Sequence, residues 1–295
     1  MTQTVRVRVP ASTANIGPGY DCLGMALTLY ADFRFTPSDD LIVTGCPEAY
    51  CNADNLVLQA FRLVFEKAGR PAPTVRLDIE SDVPVSRGLG SSSTCIVAGL
   101  AAANTFLGNL YTKDDLFQFC TDMEGHPDNA APAVFGGLTA SFMSGTVATA
   151  VPYVPHADWR FVAVIPDYEV KTSEARKIVK KEIALSTAVH SVSHALAMVR
   201  GLETGDEALV NAACDDLLHE PYRKTLIKEY DELRESALKA GAATFFISGS
   251  GSTLMAATMK EAVAENFVKA VKARYPTFGV KILRVCRTGL VVDGD

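Results

Sequence analysis

No stretch of this 295-residue chain reaches 18 consecutive apolar residues, so no membrane-spanning helix is expected. No continuous apolar run stands near the start either. MTQTVRVRVP (1–10) alternates apolar and basic residues and reads as a strand, not a secretory signal. Basic residues do not cluster into a block of five. The 28 Lys and Arg are outnumbered by 34 Asp and Glu, for a formal net charge of −6. A nucleic-acid binder usually carries a basic footprint, so the charge balance speaks against that role. The seven cysteines (22, 46, 51, 95, 120, 214 and 286) are odd in number and never spaced Cys-x-x-Cys. They read as reduced thiols of a cytoplasmic protein, and a zinc site is not expected. Internal repeats and low-complexity segments are absent too.

What is present is ample apolar material. Apolar residues make up 48% against 21% charged, enough for sizeable cores and against long disorder. The length suits one large or two medium domains. Strands are expected over 5–9, 27–35, 41–44, 75–79, 161–165, 244–247, 253–257, 279–285 and 288–292. Helices are expected over 54–68, with Asp54 as N-cap, over 92–106, and from Thr112 to Met123, with Thr112 and Asp115 as a capping box. Further helices are expected over 173–184, 187–200, 206–218, 223–240 and 260–273. Pro152 and Pro155 place a domain boundary near 145–159, giving units 1–152 and 153–295. Helices and strands mix without strict alternation, which favours α+β.

The chemistry gathers at SRGLGSSST (86–94), which runs straight into an alanine-rich apolar segment. Glycines allow positive φ and close backbone approach. The first N–H groups of the following helix have no intrahelical partner, and the dipole makes that end positive. The junction is therefore suited to phosphate, with hydroxyls on Ser91, Ser92, Ser93 and Thr94. A Ser-capped helix after a glycine turn would explain the same string. It is no Walker A loop, having no Gly-Lys-Ser or Gly-Lys-Thr, and it lacks the third glycine of the dinucleotide fingerprint. Other segments share its character: PASTANIGPGYDCLG (10–24), EGHPDNAAPAVFGG (124–137), HEPYR (219–223), SEAR (173–176) and FISGSGST (246–253). Glu124 stands at a helix C-terminus, where the dipole is unfavourable and a cation would offset it.

PVSRGLGSSS (84–93) resembles the Pro-x-x-x-Gly-Leu-Gly-Ser-Ser motif of the GHMP kinases, and SGSGS (248–252) is similar to that family's third motif. Within the family, STANIGPGYDCLG (12–24), HPDNAAPA (126–133) and HEPYR (219–223) resemble the homoserine-phosphorylating branch. The resemblance spans nearly the whole chain, in order. It implies an N-terminal ribosomal-S5-like and a C-terminal ferredoxin-like domain, with ATP and Mg²⁺ as cofactors and L-homoserine as substrate. A homodimer and inhibition by threonine are implied with them.

By that resemblance the nucleotide lies on Pro84, Val85, Ser86, Arg87, Gly88, Leu89, Gly90, Ser91, Ser92, Ser93 and Thr94, with Asn55 near the adenine. The late Gly/Ser loop packs beside this segment. Ser92 and Glu124 hold Mg²⁺. Asn15 and Asp21 bind the ammonium and hydroxyl region of homoserine, and Arg176 and Arg223 its carboxylate. His126 and Asn129 sit near the reacting hydroxyl, so the catalytic set is Asn129, His126, Glu124 and Ser92. Asn129 stands where some relatives carry an aspartate base. Two departures stand out: Ser93-Thr94 replace the usual two alanines, and Glu124 lies only two residues before His126. Another small-molecule kinase of the family, or a silent nucleotide sensor on its scaffold, are the alternative readings; an RNA-binding role conflicts with the acidic balance.

Overall fold

The computed structural model describes residues 4–294. Two sheets organise it. β1 (Val5–Ala14) and β2 (Leu23–Pro37) form the long antiparallel spine of the first. Val5, Val7 and Val9 face inward while Arg6 and Arg8 face out, as period-2 alternation requires. The register shifts between Pro10 and Ala11, and beyond it β1 is buried on both faces. The second half of β2 pairs with β4 (Val75–Ser81), which pairs in parallel with β3 (Ile42–Thr44). The first residues of β2 pair instead with β5 (Leu138–Ser144), the partner of β6 (Val147–Tyr153).

The second sheet has the order β10 (Gly279–Leu283), β7 (Arg160–Ile165), β9 (Leu254–Thr258), β8 (Thr244–Ile247), all antiparallel. Apart from Arg160 and Thr258 at their ends, its central strands are apolar because both faces are covered. Phe161, Ala163, Phe246, Met255 and Ala257 point into the core shared with the first sheet. Val162, Val164, Phe245, Ile247, Leu254 and Ala256 alternate to the opposite core. That core is closed by α9 (Tyr230–Ala240) and α10 (Glu261–Arg274).

The remaining helices are α1 (Leu56–Lys67), α2 (Ser91–Phe106), α3 (Lys113–Glu124), α4 (Ala130–Phe135), α5 (Thr172–Lys177), α6 (Leu185–Thr204), α7 (Glu207–Ala213) and α8 (Glu220–Arg223). α2 is buried almost all round, which explains its small-residue sequence. A Cβ on Gly99 would run into the Val57 carbonyl of α1.

Several expected bounds move. The N-cap of α1 is Asn55, not Asp54; its Oδ1 accepts from Val57 N at 2.9 Å. The Thr112–Asp115 capping box is present in both directions. Helix was expected over 173–184 and 206–218, but α5 ends at Lys177 and α7 at Ala213. Asp216 then accepts the amides of Leu218, His219 and Glu220 and so starts α8, with a 3₁₀ turn (Lys224–Leu226) separating it from α9. The expected boundary near 152 falls inside the β5–β6 hairpin, which the sequence reading left out. The tail does not stay with the second sheet: β11 (Val291–Gly294) pairs with β1. All seven cysteines are free thiols, and no helix of the described residues is long and apolar enough to cross a membrane.

Candidate active site

The loop before α2 is built from left-handed backbone, with φ of 54° at Ser86, 76° at Gly88 and 70° at Gly90. A Cβ at Gly88 would collide with the Ser248 and Gly251 backbone, and one at Gly90 with Ser12 Oγ. Only glycine fits both space and conformation. The late Gly/Ser loop braces this backbone: Ser248 Oγ donates to Gly88 O at 2.6 Å, and Thr253 N to Arg87 O at 3.1 Å. Thr94 N to Gly90 O is the first bond of the α2 ladder. The amides of Ser91, Ser92 and Ser93 precede it, at the positive end of a helix 16 residues long. An anion is the natural complement.

Glu124 is the last residue of α3, and Gly125 ends the helix at φ 81°. The Glu124 side chain is 8% exposed, and its Oε1 is buried without a hydrogen-bond partner. Its Oε2 lies 3.9 Å from His126 Nε2. His126 Nδ1 is bonded to buried Asp128 Oδ1 at 2.6 Å. Burial pushes the His126 pKa down, but the Asp128 hydrogen bond and the charges of Asp128 and Glu124 outweigh it, and the net shift is upward. Asp128 Oδ1 also accepts from Asn129 N, while Ser12 Oγ donates to Asn129 Oδ1 at 2.8 Å.

The segment between β1 and β2 is strained. Asn15, Ile16 and Asp21 all have positive φ, uncommon for any side chain and rare for a β-branched one. Asn15 ties it together: its Nδ2 donates to Gly249 O and its Oδ1 accepts from Asp21 N. Asp21 meets Arg176 of α5 in a two-pronged pair, both contacts at 2.9 Å. Burial works against the Arg176 charge, but Asp21 outweighs it and the pKa rises. Arg223 is nearly buried and donates to Ala175 O, Gly249 O and Tyr20 OH. Its guanidinium lies over the Tyr20 ring, and burial lowers its pKa. Tyr20 stacks in turn on His219.

These three groups of side chains line one cleft of about 320 Å³. Asn15, Asp21, Arg176 and Arg223 border it together with Ser92, Glu124, His126 and Asn129. Of the expected nucleotide residues, Ser86, Gly88, Gly90, Ser91, Ser92 and Ser93 line it. The others turn elsewhere. Arg87 reaches across to Pro166 O, Asp167 O and Glu169. Leu89 is core, and Thr94 bonds back to Ser91 O. Pro84 and Val85 lie outside the lining, Val85 exposed. Asn55 is buried as the α1 cap, donating to Tyr50 O, while its neighbour Leu56 reaches the cleft. For a divalent cation the donor set fits: a buried carboxylate oxygen without a partner, in the same lining as the Ser92 hydroxyl.

The GHMP kinases N terminal domain model matches residues 55–137, and the GHMP kinases C terminal model residues 198–277. The homoserine kinase of Trichodesmium erythraeum is 43% identical over 264 residues, 86% of each chain. That of a Synechococcus strain is 39% identical over 301 residues, 99% of this chain and 98% of its own. The chain belongs to the homoserine kinase family. The crystal structure of homoserine kinase from Cytophaga hutchinsonii superposes with a TM-score of 0.87 at 29% identity, covering 99% and 98% of the two chains. A mevalonate kinase from L. major shares the fold, with a TM-score of 0.74 at 14% identity and 95% of each chain covered.

Two residues of this homoserine kinase site were not singled out from sequence. Asp128 sits inside the HPDN string between two residues that were named; its burial beneath His126 is tertiary. Ser12, which fills the space beside Gly90 and holds Asn129, had no signal of its own.

Proposed function

We propose that this chain transfers the γ-phosphate of ATP to the side-chain hydroxyl of L-homoserine, giving ADP and O-phospho-L-homoserine, a step on the way to threonine. One arrangement supports the reading above all others: an anion-binding helix start and a pair of opposite charges, Asp21 and Arg176, line the same cleft. The first suits a triphosphate, and the second suits a zwitterion.

Homoserine enters by exchange. Its ammonium takes Asp21 and its carboxylate takes Arg176, so each protein charge trades one partner for another and none is left bare. Arg223, with three N–H groups already engaged, keeps the remaining donors for that carboxylate. Asn15 fixes the Asp21 backbone. Asp128 holds the His126 Nδ1 hydrogen and leaves Nε2 to orient the hydroxyl beside Asn129.

Ser91–Ser93 amides take the phosphate oxygens. Ser92 and Glu124 would hold Mg²⁺, which supplies charge neutralisation on the phosphates when bound. Asn129 cannot act as a base. Phosphoryl transfer tolerates this, because its loose transition state depends on alignment and charge stabilisation. The hydroxyl proton leaves through the phosphate or water.

We assign a cytoplasmic homodimer. Leu185, Val189, Val192 and Leu196 form an exposed apolar stripe on α6, and no Asp, Glu, Lys or Arg occurs between Leu185 and Val199. A second copy is the occupant we infer for it.

The deciding experiment measures ADP release with homoserine, threonine, serine, mevalonate and galactose under ATP and Mg²⁺. Homoserine should show the highest kcat/KM; a sugar or mevalonate ahead of it overturns the substrate, and no turnover with any of them favours a silent sensor.

A further inference from the structure

Away from the cleft, His190 and His194 stand one turn apart on α6, on one face of the helix. Their rings stack with centroids 3.6 Å apart and planes 20° from parallel. The segment after α7 brings Asp215 against them. Asp215 Oδ2 lies 3.4 Å from His190 Nε2, and the Asp215 carbonyl accepts from that nitrogen at 3.0 Å. One ligand-capable atom from each of the three residues fits within 4.8 Å of the others.

The tautomer of His194 is fixed by its surroundings. Its Nδ1 lies 2.8 Å from the His190 carbonyl oxygen. A carbonyl only accepts, so Nδ1 carries the hydrogen and Nε2 keeps its lone pair. Metal-bound imidazoles show the same arrangement, one nitrogen donating to a carbonyl or carboxylate and the other bonding the ion.

We propose that His190, His194 and Asp215 form a binding site for a late first-row divalent cation, with zinc as its ligand. Two imidazoles and one carboxylate are a zinc-type donor set, whereas Mg²⁺ and Ca²⁺ take oxygen. The His-x-x-x-His spacing on a helix is the geometry that zinc sites use. None of the three residues lines the cleft, so the site is separate from the phosphate-binding one. Asp215 is 63% exposed, which leaves the outer coordination positions to water. On binding, His190 Nε2 exchanges the Asp215 carbonyl for the ion, and its hydrogen passes to Nδ1.

The ion would tie α6 to the segment that supports the substrate loop. In that segment His219 Nε2 donates to Gly17 O at 3.0 Å, and Cys214 Sγ packs against Gly17. Zinc should therefore raise the melting temperature, because it binds only the folded arrangement.

The test is calorimetric titration of Zn²⁺ into the full chain in millimolar Mg²⁺ and ADP, so that Zn²⁺ competes with Mg²⁺ for the carboxylate of the cleft. Cys46 and Cys51, whose sulfurs lie 3.5 Å apart, are replaced by serine so that thiols do not compete. One zinc per chain is expected, with a rise in melting temperature. His190→Ala and His194→Ala should each weaken binding by about tenfold or more and abolish the rise. Equal zinc affinity in the parent and both alanine variants overturns the site, as does the absence of saturable binding. Co²⁺ gives a second measurement: it should broaden the imidazole resonances of His190 and His194 first, and uniform broadening of all five histidines rejects the proposal.

Discussion

Asp21 and Arg176 hold each other at 2.9 Å, with side chains 34% and 36% exposed, so water screens part of their attraction. Asp21→Asn should raise the homoserine KM by roughly tenfold to a hundredfold, since an ammonium partner acts in ground and transition states alike. Steady-state kinetics at saturating ATP decide this. A collapsed kcat at unchanged KM would make Asp21 the base instead. Glu124 invites the opposite split. Its Oε1 is buried without a partner at the negative end of α3, so the carboxylate is costly to the free protein. Glu124→Gln should lower kcat at saturating Mg²⁺ by more than about tenfold, because an amide is a poorer ligand for a hard cation. The melting temperature of the ligand-free variant should stay level or rise. Activity within about twofold of the parent would remove Glu124 from the metal site.

At the scale of elements, the loop before α2 is the most constrained piece of backbone. Gly90→Val places a β-branched side chain at φ 70°, against Ser12 Oγ and in the path proposed for the phosphates. ADP binding, followed by calorimetry on the folded variant, should be lost; retained affinity contradicts the cradle. The start of α8 sets two titrations against each other. Burial lowers the His219 pKa from 6.5 to about 4, and burial raises that of Glu220 from 4.5 to about 7. Between pH 4 and 6.5 the unfolded chain binds the extra proton at His219, so its contribution to stability is lost as pH falls through that window. Between pH 4.5 and 7 the folded chain keeps the extra proton at Glu220, so its contribution is lost as pH rises. The opposing slopes should leave the stability of the parent nearly flat from pH 5 to 6.5. Glu220→Gln should expose the histidine slope, with urea midpoints falling as the solution is acidified. An unsteepened profile would show that Glu220 titrates in its ordinary range.

For the whole molecule, the α6 stripe is the feature a monomer explains least. Leu196, at its C-terminal end, is 67% exposed. Leu196→Glu places a charge in any interface built there, and burying it without a partner is unfavourable. Light scattering should show a dimer for the parent and a monomer for the variant, with the active cleft intact. A variant that remains dimeric would move the interface elsewhere. The two halves are themselves interlocked: Ser248 and Thr253 brace the loop before α2 from the second sheet, and β11 returns to the first. The cleft is thus a product of both halves.

Much of this was legible because it is local. Glycine at 88 and 90 signals positive φ, the serines after it signal a helix start, and Thr112 with Asp115 spells a capping box; each needs only neighbours in the chain. The apolar runs of β7, β8 and β9 also announced strands, since burial on both faces confines polar residues to the strand ends. The sequence by itself therefore determined the element types over most of the chain and the motif residues from which the family resemblance was read. Tertiary structure decided what those residues touch. Asp21 and Arg176, 155 positions apart, proved to be partners of each other. Asn15 and Asn55 proved to be braces, Arg87 turned from the cleft to the other half, and Asp128 was buried beneath His126. The β5–β6 hairpin, rich in small and polar residues, became a strand pair only because β2 offers an edge for it. A charged or amide side chain settles on whichever donor or acceptor the fold brings within hydrogen-bond reach, and that distance is set by packing between elements far apart in the chain.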